Sequence, residues 1–202
     1  HSRAHLVVDI DGFFPAGSEY RPLTPARLLD TRPGQSTIDG DDVGVGVRRG
    51  GSTYELDVTG RGGTASNASA VTVNLTATET TDPGFATVFP CGSARPQSST
   101  INYGRGSTIA NSVITKVGAG GKVCVYTSAD SHFVVDVTGY FPAGSNYRPL
   151  TPARLLDTRS AGATIDGRSA GNGVRDPGSV LELDVTDRGG SGSNASAGSL
   201  NL

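Results

Sequence analysis

Apolar and polar residues alternate along most of this chain, with a period of two. In Thr53–Thr59, Tyr54, Leu56 and Val58 lie opposite Glu55, Asp57 and Thr59, and in Ser69–Glu79, Val71, Val73 and Leu75 lie opposite Thr72, Asn74 and Thr76. Further short strands are predicted over Phe85–Phe89, Ser99–Tyr103, Ser112–Val117, Gly121–Thr127 and His132–Tyr140. In the last of these, Phe133, Val135 and Val137 face one way and His132, Asp136 and Thr138 the other. Half-buried antiparallel strands produce this alternation. Gly, Pro, Asn and Asp separate the segments, and helical periodicity is almost absent. The predicted fold is all-β: a β-sandwich of jelly-roll or immunoglobulin-like type, with about eight strands per unit.

The pattern repeats. Residues 5–75 return at 132–202, displaced by 127 positions, and about two-thirds of the aligned residues are identical. YRPLTPARLLDTR at Tyr20–Arg32 returns unchanged at Tyr147–Arg159, and ELDVT at Glu55–Thr59 returns at Glu182–Thr186. Repetition of this quality sets the domain plan before any residue is read for chemistry. Residues 1–14 are expected to be the closing strand of a preceding repeat, and 15–19 a linker. Residues 20–141 form one complete sandwich, 142–146 a second linker, and 147–202 the opening part of a following repeat. Half a sandwich leaves strand edges and apolar faces bare, including Leu6, Val8 and Ile10 at one end and Leu181, Leu183 and Val185 at the other. The ends are therefore expected to be completed by identical or adjacent repeats, head to tail, as in strand addition.

Composition narrows the function classes. The net charge is −2, arginine supplies 15 of the 17 basic residues, and methionine and tryptophan are absent. With no basic stretch to track phosphates, nucleic acid is not an expected partner. No apolar run reaches the roughly 20 residues that a membrane helix needs. Cys91 and Cys124 lack the close spacing or extra ligands of a metal or redox pair, so a structural disulfide is expected, and with it an extracellular or cell-surface location.

Arg27, Asp30 and Arg32, with their copies Arg154, Asp157 and Arg159, set one carboxylate between two guanidiniums. Arginine forks bind carboxylates and sugars bidentately. Beside a linker in both copies, however, the motif reads better as a structural or inter-repeat ion pair. Two acidic clusters, Asp9-Ile10-Asp11-Gly12 and Asp39-Gly40-Asp41-Asp42, suggest calcium. The second copies, Asp136-Val137-Thr138-Gly139 and Asp166-Gly167-Arg168-Ser169, lose carboxylates, so no metal site and no cofactor are expected. The histidines are His1, His5 and His132, of which the last two are one repeat position, and no nucleophile sits in a recognisable elbow. No enzyme activity is expected. Asn67, Asn74 and Asn194 begin glycosylation-acceptor triplets.

PLTPARLLDTR at Pro22–Arg32, VFPCGSARP at Val88–Pro96, GKVCVYT at Gly121–Thr127 and FVVDVTGYFP at Phe133–Pro142, in that order, resemble a secreted repeat of actinobacterial surface proteins. That repeat is found alone, in tandem arrays or attached to secreted enzymes. The resemblance implies an extracellular module and brings no catalytic residues with it; the near-identity of the units resembles extracellular fibrils of tandem β-domains. The leading expectation is a structural segment of a filament, stalk or adhesin shaft built from serial β-domains. The alternative is a carbohydrate- or cell-wall-binding module of a secreted bacterial protein, with glycans as partners and Tyr103, Tyr126 and Tyr140 as stacking candidates.

Overall fold

A computed structural model describes residues 13–195 and 197–201. Eight strands run from Arg21 to Pro142: β1 (Arg21–Asp30), β2 (Thr53–Asp57), β3 (Ala68–Thr78), β4 (Gly84–Pro90), β5 (Ile101–Tyr103), β6 (Ile109–Lys116), β7 (Lys122–Thr127) and β8 (His132–Pro142). They form two four-stranded antiparallel sheets, ordered β1-β8-β3-β6 and β2-β7-β4-β5. The only helical element among the described residues is a single 3₁₀ turn, Ala119–Gly121. No described helix is long and apolar enough to cross a membrane.

The alternation sorts side chains as the pattern predicts. Leu56, Val71, Val73, Leu75, Val123, Phe133, Val135 and Val137 are buried between the sheets, while Thr72, Asn74, Asp136 and Thr138 on the opposite faces stay partly exposed. Seven of the strands coincide with predicted segments to within a few residues. The eighth, β1, does not. Its sequence, RPLTPARLLD, carries two prolines and no alternation, which argues against a central strand. The fold places it at a sheet edge, where a missing ladder donor is tolerated, and two register shifts absorb the irregularity. Between Arg27, which faces Asp136, and Leu29, which faces Val135, Leu28 is the extra residue of a bulge. The bulge turns consecutive Leu28 and Leu29 both into the interior, where neither retains any exposure.

Cys91 and Cys124 are bonded to each other. The bridge sits outside the main core, packed with Phe89 and Tyr126 on the outer side of the β2-β7-β4-β5 sheet. Gly118 packs directly on it: a Cβ there would lie 2.2 Å from the backbone nitrogen of Cys91 and 2.3 Å from its carbonyl oxygen.

The second copy of the opening half behaves differently. Among the described residues its counterparts of β1, β2 and β3, from Arg148 onward, form no strands, although a single bridge joins Asp157 to Ala170 where Asp30 joins Val43 in the first copy. The cause lies in the pairing scheme. β1 pairs only with β8, β2 only with β7, and β3 only with β6 and β8. The three opening strands never pair with one another, so a half repeat contains no ladder of its own. The expected closing strand over 1–14 lies, except for Phe13 and Phe14, outside the described residues.

Candidate functional site

Two features recur in both copies and surround the point where one repeat meets the next: an arginine–carboxylate cluster and an aromatic stack.

The cluster starts from the β1 edge. Asp30, with no exposure, accepts from Arg32 Nε at 3.0 Å, from Arg32 Nη2 at 2.7 Å, from the Arg32 backbone N–H at 3.2 Å and from Arg27 Nη1 at 3.1 Å. Arg27 also donates through Nε to Asp136 of β8, at 3.0 Å. Burial alone would raise the Asp30 carboxyl, but the hydrogen bonds and charge of Arg32, joined by the charge of Arg27, hold it below the usual range. Beside it, the Thr31 hydroxyl accepts from the Phe133 N–H at 2.9 Å and lies 2.8 Å from Nδ1 of buried His132. The cluster therefore ties β1 to β8 from within one repeat, and its forks are occupied by the protein's own carboxylates.

Below it, the acidic turn Asp39–Asp42 encloses a cation of its own. Arg61, nearly buried, donates to Asp39 at 2.7 and 2.9 Å, to Asp42 at 2.6 Å and to the Leu28 carbonyl at 3.0 Å. Arg61's hydrogen bond lowers the Asp39 carboxyl to about 2. Burial, then the hydrogen bond to Asp42, pushes the Tyr54 phenol up to about 12.

The second copy keeps both devices without its strands. Arg159 and Arg154 hold Asp157 at 2.6 and 3.1 Å, and Arg188 clamps Asp166 at 2.7 Å while reaching the Leu155 carbonyl at 2.8 Å. Both clusters thus form without the strands that accompany them in the first copy. Arg154 lacks the β8 carboxylate that Arg27 reaches and finds another acceptor instead. Its Nη2 donates to the Gln97 carbonyl of the complete repeat, at 2.6 Å.

The aromatic stack was not foreseen in the sequence. Phe14 stacks on Tyr20 with ring centroids 4.4 Å apart, and their copies Phe141 and Tyr147 stack at 4.3 Å. Tyr20 and Phe141 approach to 5.1 Å, which joins the two pairs into one four-ring ladder. Gly139 makes room for it, since a Cβ there would lie 2.1 Å from the Tyr20 hydroxyl. Burial pushes the Tyr147 phenol up. The two linkers also touch, with the Asn146 N–H donating to the Glu19 carboxylate. The available signal was the fixed spacing Phe-Pro-Ala-Gly-Ser-x-Tyr, present in both linkers.

The remaining expectations find these places. Tyr103 is buried and hydrogen-bonded to Thr127 at 2.6 Å, Arg95 covers the ring of Tyr126 at 4.1 Å, and Tyr140 packs against the core. Asn67 and Asn194 are exposed in turns, whereas Asn74 is half-buried in β3, paired on both sides. Among the described residues no group of three or more His, Cys, Asp or Glu is placed to hold a metal ion. Compared with known proteins, the chain matches no family model, no curated sequence and no solved structure.

Proposed function

We propose that this chain is a structural segment of an extracellular filament, stalk or adhesin shaft, built from serial β-sandwich repeats that neighbouring repeats complete. One observation carries the reading: every strand of an opening half takes its partner from β6, β7 or β8, so the described strand sequences of the second opening half require a closing half for their ladders. Their natural partner is the closing half of another repeat, with strand sequences like those of β6 to β8. A contact of that kind is heterologous and propagates, giving an open array.

Several features support the details. The strand order, β1-β8-β3-β6 against β2-β7-β4-β5, favours the jelly-roll alternative over the immunoglobulin-like one. The disulfide favours an oxidising, extracytoplasmic setting, in keeping with the resemblance to actinobacterial surface repeats. The carbohydrate-binding alternative needs open aromatic platforms, and of the tyrosines nominated for it Tyr103 is buried, Tyr126 is covered by Arg95 and Tyr140 is half-buried against the core. The reading assigns no catalysis, cofactor or metal to the chain. Electron microscopy of the native secreted material is the test. Fibres of uniform width are expected, and material that stays dispersed as single particles would sink the proposal.

A further inference from the structure

Where a repeat begins and where it ends are the same place. β1 and β8 are antiparallel neighbours, with Arg21 opposite Tyr140, so the chain enters and leaves the sandwich at one corner. Repeats joined at such corners cannot be strung along their long axes as beads on a thread.

The junctions themselves show the alternative. Phe14 and Phe141 are the same repeat position, and their ring centroids lie 5.8 Å apart. Glu19 and Asn146 are likewise one position, and they are hydrogen-bonded. Successive linkers are thus in direct contact, although 127 residues of chain separate them. In a regular array the axial advance per repeat cannot exceed the separation of any two equivalent points. A sandwich whose strands run to 11 residues is roughly 35 Å long, and two sheets with their side chains are about 20 Å thick. Either dimension exceeds 5.8 Å several-fold, so each repeat must be rotated about the junction relative to the last.

The flanks of neighbouring repeats then meet side by side, and the second copy shows that contact. Arg154 donates to the Gln97 carbonyl at 2.6 Å, and Asn201 bonds the Ser99 carbonyl at 2.5 Å and Asn111 at 2.8 Å. In the first copy, Arg27 spends Nε and Nη1 on Asp136 and Asp30, while among the described residues Nη2 has no partner. Nη2 is the nitrogen that Arg154 gives to the repeat before it.

We infer that successive repeats hang side by side around a continuous aromatic spine, advancing no more than 5.8 Å per repeat, with the arginine of each β1 bonded to the Gln97-position carbonyl of the preceding repeat. The partner surface is a second copy of this repeat. The inference rests on the tandem-array reading above and deepens it.

Two measurements test it separately from that reading. Small-angle scattering of the full chain requires no filament. A compact particle is expected, with a radius of gyration near the roughly 17 Å of a folded chain of this length. Tyr147→Ala combined with Arg154→Met should expand it, while the cooperative thermal unfolding of the central sandwich, whose eight strands contain neither residue, persists. A wild-type chain already as expanded as the double variant would overturn the spine and leave the filament proposal standing. Helical reconstruction of native fibres should give an advance per repeat at or below 5.8 Å. Any advance above 5.8 Å would overturn the inference, and one of about 20 Å, the thickness of a sandwich, is what stacking of repeats would give.

Discussion

Asp30 shows how much one side chain carries in this fold. It is fully buried, yet it stays ionised because two guanidiniums and a backbone N–H converge on it. Asp30→Ala leaves both arginines without their shared counter-ion and should cost about 3 kcal/mol, read from urea denaturation. The carboxylates also set the acid limit of stability. The hydrogen bond from Arg61 holds the Asp39 carboxyl at about 2 in the folded chain, below its usual 3.8, and Asp30 is lowered as well. A depressed carboxyl contributes stability that is fully present above its unfolded value and is lost as pH falls toward its folded one. Thermal unfolding temperature should therefore fall between about pH 4 and pH 2. In Arg61→Met, whose Asp39 has no cation to depress it, that slope should be shallower. The opposite sign applies at the alkaline end. Tyr54, raised to about 12, favours the folded state below pH 10 and withdraws that contribution as pH climbs toward 12.

At the scale of elements, β1 and the disulfide are the informative cases. Leu28 is buried only because a bulge turns it inward, so Leu28→Ala should cost about 2–5 kcal/mol, the range for a core cavity. The bridge between Cys91 and Cys124 closes a separation of 33 residues and should contribute roughly 3–4 kcal/mol by restricting the unfolded chain. Reducing it should lower the unfolding free energy by that amount without abolishing the fold, because the main core lies elsewhere. Gly118→Ala should be worse tolerated than loss of the bridge, since the new methyl group meets rigid backbone on both sides of Cys91. Comparing the two variants by circular dichroism melts would check the ranking.

For the whole molecule, the unpaired opening half makes a prediction about dynamics. Amides in β3 and β8, at the centre of a sheet, should exchange slowly, and those of 148–156 and 180–184 quickly, in the isolated chain. Assembly should then protect the second set. Slow exchange there before assembly would mean that the half repeat forms a ladder by itself, contrary to the pairing scheme.

Much of this was legible in the sequence. The period-two alternation located seven strands, because a strand with one buried face must sort its side chains by parity. The offset of 127 gave the repeat directly, and the ARLLDTR segment announced its ion pairs, since Arg27, Asp30 and Arg32 are near neighbours whose geometry is local. The second copy makes that point independently: its Asp157 cluster forms even where its strands do not. Tertiary structure alone decided the rest. β1 has no alternation, and its identity as a strand comes from the edge that β8 offers it. The acidic turn shows carboxylates but not the arginine, 19 and 22 residues away, that neutralises them. The four-ring ladder joins residues from opposite ends of a repeat, and no local pattern says that those ends coincide. What depends on neighbours in sequence could be read; what depends on which strand lies beside which required the fold.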